Sequence, residues 1–587
     1  MTATNDPARL TRALDRARAE APFLRLAADR EPELAADPIA ALADPVAAAF
    51  AGLDDRPVAE RLRLARWRLA LIVALADLSG VWPFERVVAT LTDFADRVLD
   101  TAIRAAIGER TPDAEPVGFT AIALGKQGSG ELNYSSDIDP ILLFDPETLP
   151  TRPREEPQEA AVRIGKRVVE LLQARDGNGY VLRVDLRLRP SSEVTPIALP
   201  VEAAIGYYES AALPWERAAF IRARACAGDV VLGQRFLNAI RPFIWRRSLD
   251  FGAIAEIRGI TTRIRDHHSR GQAFGPGFDL KRGRGGIREI EFFAQIHQLI
   301  HGGRDPSLRA PATLDALAAL AAAGRIDKDD ASVLADAYRL LRTLEHRVQM
   351  IDDRQTHALP DGGSLDHVAR LHGLDDGAAL LDLARPHVER VGAIYDAIEP
   401  ESSDRLPDAD AALSARLAAA GFAQPDQAVR RVAEWRAGAY PALRSPAARG
   451  ALENALPDLI AALGGAPDPD GAILRLDRIL GRLPSAINFF RLIDAQPHLA
   501  RLLATVLSLA PTLADALGRR VEMLDGLIDA SALEPVGAVG ELVAAMRAGR
   551  LDYEQRLDHV RRVVAETRFA LGVQIVTGAR DPLEVAG

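Results

Sequence analysis

Asp137 and Asp139 stand two residues apart, after Ser135 and Ser136, at the entrance to a short apolar run, Ile141–Phe144. In extended backbone, residues i and i+2 share a face, with Cα atoms roughly 6.5–7 Å apart. Two carboxylates held that way can share a hard cation, and one of them can bridge two. Pro140 removes a ladder donor directly after them, so the pair belongs at a strand's start or on an edge. A third carboxylate, Asp185, lies within Tyr180–Arg189, the clearest alternation in the chain. There Tyr180, Leu182, Val184, Leu186 and Leu188 fall on one face of a predicted strand. Val181, Arg183, Asp185, Arg187 and Arg189 fall on the other. Three carboxylates on neighbouring strands would hold two Mg²⁺ ions, or Mn²⁺, about 3.5–4 Å apart, a geometry that serves in-line displacement at phosphorus. The flanking Arg183 and Arg187 would neutralise phosphate charge.

These residues need elements to hold them. Phe119–Leu124 is a second short apolar run and fits a buried strand. Between the two runs lies a turn with Gly125, Gly128 and Gly130; it lacks the spacing of a P-loop. Residues 158–174 return to helical spacing. Taken singly, Ser-Ser-Asp-x-Asp is most often a turn or cap, and an Asp among arginines is most often a solvated sheet face. The order is the specific signal: strand, glycine turn, Ser-Asp-x-Asp, strand, helix, then a strand with a third Asp. Residues 111–200 thus read as an α/β core in an otherwise helical chain, an α+β protein of mostly α-helix. Residues 1–110 are predicted helical, with the apolar positions of Arg61–Val73 on one side and its charges on the other. Residues 201–435 are also helical; Val333, Leu334, Ala337, Tyr338, Leu341, Leu344, Val348 and Ile351 form one stripe. The Pro- and Gly-rich stretch 436–471 is predicted to be a linker, and 472–587 a separate helical domain.

The 587 residues allow roughly two to four domains. A net charge of −10 argues against a non-specific nucleic-acid binder without excluding a local basic pocket. One cysteine, Cys226, rules out an intrachain disulfide framework and fits a reducing cytoplasm. No apolar run near the N-terminus is long enough to span a bilayer, so no membrane association is expected.

The segment LGKQGSGELNYSSDID (124–139) resembles the signature of the bacterial glutamine synthetase adenylyltransferase family, within the polymerase-β-like nucleotidyltransferases. The resemblance continues through VDLRLRP (184–190), PWERAAFIRARACAGD (214–229), LKRGRGGIREIEFFAQ (280–295) and LLRTLEHRVQMIDDRQTHALP (340–360). It implies that Asp137, Asp139 and Asp185 bind metal, and that Gly125 and Ser136 hold a nucleotide phosphate. Lys126, Arg187, Lys281 and Arg288 complete the expected nucleotide- and phosphate-binding set. Gln127 and Ser129 depart from the family's commoner Leu and Gly, and RPSSEVTP from its Arg-Pro-x-Gly.

Such enzymes carry two nucleotidyltransferase domains around a helical middle. The position of the motif implies the first, which removes AMP from a tyrosine of glutamine synthetase by phosphorolysis and yields ADP. The implied partners are glutamine synthetase, inorganic phosphate, ADP or ATP, and PII-type nitrogen-regulatory proteins. No second Ser-Asp-x-Asp follows residue 200, so the second domain is expected to be absent from this chain. AMP transfer from ATP, or a non-catalytic nucleotide-binding module, are the alternatives.

Other positions read differently. Lys281, Arg282 and Arg284 precede Gly285-Gly286 and a helix start near Ile287, which is either an anion site or a solvated basic loop. Glu289 and Glu291 suit the helix dipole. Trp215, Glu216 and Arg217 read as packing and an ion pair. The histidines, including His267, His268, His346 and His357, show no metalloprotease spacing. His297 and His301, four apart on a helix, lack a supporting carboxylate pattern, and Cys226 reads as a small buried residue.

Overall fold

In a computed structural model of the chain, residues 7–245, 273–398 and 406–483 except 408 are described, together with parts of 486–581. His267 and His268 lie outside the described residues. Six strands carry the site: β1 (Phe119–Ala123), β2 (Asp137–Ile138), β3 (Pro140–Phe144), β4 (Arg183–Val184), β5 (Ala198–Pro200) and β6 (Arg224–Gly228). Four of them form a sheet in the order β5-β3-β1-β6. β1 is antiparallel to both β3 and β6, and β3 is parallel to β5.

Every residue of β1 and β3 is buried, which is why their sequence runs apolar instead of alternating. Leu142 and Phe144 join the core formed with helices α1 (Val58–Leu78), α2 (Phe84–Gly108) and α4 (Pro157–Gln173). Ile141 and Leu143 face the opposite way, onto Tyr208, Phe220 and Phe236. Between β1 and β2 the glycine turn forms a single short helix, α3 (Gly125–Gly128).

The predicted strand Tyr180–Arg189 shrinks to the two residues of β4, paired in parallel with β2. Val181 and Leu182 are both buried, so the face assignment fails at that step. Turn backbone follows at Arg187, and Arg189 folds back to donate to the Leu186, Ser192, Thr195 and Pro196 carbonyls. Those local bonds compete with a continued ladder.

The charges of Arg61–Val73 do not all face away from the core. Arg63 and Arg66 are buried on α1, where Arg63 donates to the Ala174 carbonyl at 2.8 Å. The predicted stripe of residues 333–351 lies on the helix α6 (Lys328–Asp352), which Asp327 caps by accepting from Asp329 N and Asp330 N. Leu334, Ala337, Tyr338, Leu341 and Leu344 pack there with Ile287, Ile290 and Phe293 of α5 (Ile287–His301).

The chain separates into two compact units, Met1–Glu399 and Pro400–Gly587. The predicted linker at 436–471 is therefore corrected: those residues belong inside the second unit. Its prolines open helices instead of ending the fold. Ser445 caps Pro446–Gly464 and Asp468 caps Pro469–Leu480, each with Pro at the first helical turn. Leu452, Leu456 and Leu459 pack with Trp435 in that unit's core. Among the described residues, no single helix is long and apolar enough to cross a membrane.

Candidate active site

The β2–β4 bridge brings the three aspartates together. Its register sets Asp137 beside Arg183 and Ile138 beside Val184, and Asp185 N donates to Ile138 O at 2.9 Å. One step further along the same register, Asp139 and Asp185 are neighbours. Pro140 starts β3, a non-edge strand, so the missing donor lies at a strand's start. Leu124 N donates to Asp139 O at 3.2 Å, which ties the turn to the carboxylate segment.

Gly125 fits this place because of its conformation and its neighbour. Its φ is +55°, and a Cβ there would stand 2.7 Å from Asp139 Oδ2. Gly125→Ala is expected to cost about 1–2 kcal/mol in urea unfolding and to shift the Asp139 carboxylate in a crystal structure. An unmoved Asp139 would show that the glycine serves only the turn.

Electrostatics mark the same point. Burial, followed by the charges of Asp185 and Asp137, pushes the Asp139 carboxyl up to about 7; Lys281 and Arg187 pull it down. Asp185 moves the other way, held below the usual carboxylate range by hydrogen bonds from Arg187. Arg187 Nε lies 2.8 Å from Asp185 Oδ2, with the arginine itself 85% exposed. Asp137 receives Arg183 Nε at 2.6 Å. Among the described residues, no three His, Cys, Asp or Glu side chains close into a finished coordination shell; Asp137 and Asp185 are drawn onto arginines. The donors are nevertheless all carboxylate oxygens, and burial together with the charges of Asp185 and Asp137 penalises the ionised Asp139, a penalty that a hard divalent cation would relieve. The residues fit such a metal.

Ser136 is half-buried immediately before Asp137. Lys281 is half-buried within electrostatic reach of Asp139. Two other expectations need correction. Lys126 does not present its ammonium to a nucleotide: Nζ is buried against Glu345, 3.0 Å from Oε2. Its ammonium is pushed down to about 7 by burial and by Arg342. The start of α5 is not an open anion site. Ile287 N donates to Leu280 O, Arg288 N to Lys281 O and Glu289 N to Gly286 O, while Gly285 N donates to Glu289 Oε2. Its first amides are already spent. Arg288 is half-buried near the start of α5; burial pulls its guanidinium below the usual range, with Glu291, Arg282 and Asp279 the charges acting on it.

The remaining candidates are structural. Glu216 accepts from Leu213 N at 2.6 Å and caps its helix, Arg217 donates to Phe243 O, and Trp215 is exposed instead of packed. Glu291 pairs with Arg222 in the interior. His297 and His301 stack, and burial pushes His297 down to about 4. Cys226 is largely buried, which pushes its thiol up.

What the spacing of aspartates could not show is the scaffold behind them. Helix α6 lies along the motif loop and grips it residue by residue. Arg342 donates to Glu131 O and Asn133 Oδ1, Glu345 holds Lys126, and Gln349 Oε1 accepts from Ser135 N at 2.9 Å. These polar residues sit on the helix's buried side, where periodicity predicts only apolar contact. The one signal in the sequence was the resemblance at 340–360.

A family profile described as glutamate-ammonia ligase adenylyltransferase matches residues 13–239, and one described as PII-uridylyltransferase matches 258–398. The chain is 40% identical to the bifunctional glutamine synthetase adenylyltransferase/adenylyl-removing enzyme of Caulobacter vibrioides, over 94% of this chain and 58% of that protein. It is 38% identical to the enzyme of the same name from Bradyrhizobium diazoefficiens, over 92% of this chain and 57% of that protein. The corresponding Rhodopseudomonas palustris protein is 37% identical, over 98% and 59%. The chain thus spans less than two thirds of the length of these relatives. The matches run through the motif loop, the β4 segment and α6, the parts that build the site. The chain belongs to the glutamine synthetase adenylyltransferase/adenylyl-removing enzyme family.

Proposed function

We propose that this chain removes AMP from adenylylated glutamine synthetase by phosphorolysis. The observation that carries the reading is the convergence of Asp139, Asp185 and Asp137 on one half-buried point, where the register sets Asp139 beside Asp185 and where burial, then the charges of Asp185 and Asp137, raise the Asp139 carboxyl. The names of the relatives support the substrate. The placement of the motif ahead of a long helical region, as in the first domain of such enzymes, supports the direction. An oxygen of inorganic phosphate attacks the α-phosphorus of the tyrosyl-AMP ester. The bond from phosphorus to the tyrosine oxygen breaks, tyrosine leaves as its oxyanion, and the product is ADP. No covalent enzyme intermediate and no strong general base are required, because phosphate is already a nucleophilic anion.

Divalent metal ions, when bound by Asp137, Asp139 and Asp185, would supply charge neutralisation around the phosphorus. The chain's own groups do the rest. Gly125 leaves room for Asp139, and Arg183 orients Asp137. Lys281 adds positive charge beside Asp139, and the exposed Arg187 can turn from Asp185 to a phosphate oxygen. The match of residues 258–398 to PII-uridylyltransferase supports a nitrogen-regulatory setting.

Incubating the protein with AMP-modified glutamine synthetase, Mg²⁺ and phosphate is expected to release ADP. Incorporation of AMP from ATP without ADP release would reverse the direction. Neither reaction from a folded protein would leave a nucleotide-binding module.

A further inference from the structure

Two arginines from distant segments hold the carbonyls of consecutive residues just before Asp137. Arg66, on α1, donates through Nη2 to Tyr134 O at 3.1 Å. Arg183, on β4, donates through Nη2 to Ser135 O at 2.9 Å and to Ser135 Oγ at 3.1 Å. The arginines are also joined to each other. Arg66 Nη2 meets Asp353 Oδ1 at 3.1 Å, Tyr180 Oη donates to Asp353 Oδ2 at 3.0 Å, and Arg183 Nη1 donates to Tyr180 Oη at 2.5 Å. The free end of this chain is Arg183 Nε on Asp137 Oδ1.

The charges alternate along it: Arg66 positive, Asp353 negative, Arg183 positive, Asp137 negative. All four side chains are less than a quarter exposed, so each bond is screened little by solvent. The Tyr180 hydroxyl is the only neutral link. Its proton goes to Asp353 and its lone pair receives Arg183, so both of its roles are filled and its orientation is fixed. Asp353 sits in the left-handed region, φ 50°, directly after α6. That conformation is uncommon for a non-glycine residue and sets its carboxylate at the end of the helix.

We propose that Tyr180 and Asp353 are positioning residues: they fix Arg183, and through it they fix the direction of the Asp137 carboxylate. The inference rests on Asp137 being one of the metal-holding carboxylates, as proposed above. Outer partners of this kind set the orientation of a ligand without touching the metal. Arg183 has no comparable freedom to that of Arg187, which is 85% exposed and bound only to Asp185 among the bonds described. One arginine of the site is tied to Asp137, Tyr180 and Ser135; the other is exposed and, among the bonds described, tied to Asp185 alone.

Tyr180→Phe isolates the link, because it keeps the ring over which Arg183 lies at 5.6 Å and removes only the hydroxyl. In the variant, Mn²⁺ binding measured by calorimetry is expected to weaken at least about tenfold. ADP release should lose kcat with little change in KM for adenylylated glutamine synthetase, and the melting temperature should stay within a few degrees. Asp353→Asn should act in the same direction. Tyr180→Phe combined with Arg183→Met should cost no more than Arg183→Met alone, since both break one path.

A crystal structure of Tyr180→Phe with Arg183 still seated on Asp137 and Ser135 overturns the proposal, whatever the catalytic result. Additive losses in the double variant overturn it as well. A wild-type protein that releases no ADP refutes the proposed function instead, and leaves the relay to be judged by the crystal structure and the Mn²⁺ titration.

Discussion

Asp137→Asn together with Asp139→Asn is expected to abolish the proposed AMP transfer, by at least about a thousandfold, roughly 4 kcal/mol in the barrier, while the protein still melts cooperatively. Asparagine keeps the shape of the side chain and removes the charge that a divalent cation needs. A residual rate within tenfold of wild type would place the metal elsewhere. The single variant Asp139→Asn carries a second, opposite expectation for stability. The Asp139 carboxyl is raised from 3.8 to about 7 in the folded protein. Between those values the folded state binds more protons than the unfolded chain, so stability falls as pH rises. The contribution is whole below the unfolded pKa and is lost as pH passes through about 7. A shift of this size amounts to about 4 kcal/mol. In metal-free buffer at pH 8, Asp139→Asn is therefore expected to be more stable than wild type, and at pH 4 the two should converge. Mg²⁺ should raise the wild-type melting temperature and leave that of the variant nearly unmoved. Parallel pH–melting curves for the two proteins would contradict the assignment of Asp139 as the stressed carboxylate.

Glu345→Ala is the most damaging single change expected for folding. Glu345 is fully buried and receives Lys126 Nζ at 3.0 Å, Arg342 Nε at 3.3 Å and His357 Nδ1 at 2.5 Å. Its carboxyl is held well below the usual range, with Lys126 the largest favourable influence against burial. Removing it leaves Lys126 and Arg342 inside the protein with less negative charge to meet them, at a cost of about 3–5 kcal/mol. Urea unfolding measures this directly. Adding Lys126→Met should recover part of the loss, because one of the stranded charges goes with it. A loss under about 1 kcal/mol would show that water reaches the pair and compensates it.

The local parts of this site were legible in the sequence for a physical reason. Strands buried on both faces must be apolar throughout, and a carboxylate pair at a strand start must be two residues apart, so Phe119–Leu124, Asp137, Asp139 and Ile141–Phe144 stood out. Asp185 was found from an alternation that continues only two residues as a strand, because Arg189 takes the backbone carbonyls that a longer ladder would leave to a neighbour. The position of Lys126 in the motif points to a nucleotide, and position cannot reveal a partner 219 residues away. The same is true of Arg66, Asp353 and Gln349. Each is an ordinary polar residue on a helix or at its end until the fold turns it inward. Residues 436–471 resemble a linker because proline at a first helical turn and proline in a loop look alike without the cap beside them. Ser445 and Asp468 were those caps.

The grip of α6 on the motif loop has a consequence for synthesis. The loop leaves the ribosome long before the helix that completes it. At about 5–20 residues per second, the interval between Lys126 and Glu345 lasts roughly 10–40 s. Throughout it Lys126 lacks Glu345, the Glu131 carbonyl lacks Arg342 and the Ser135 amide lacks Gln349. The sheet strands can pair in that time, but the aspartates cannot be held in their final directions until Asp353 has emerged. A nascent chain shorter than that carries the motif without the site.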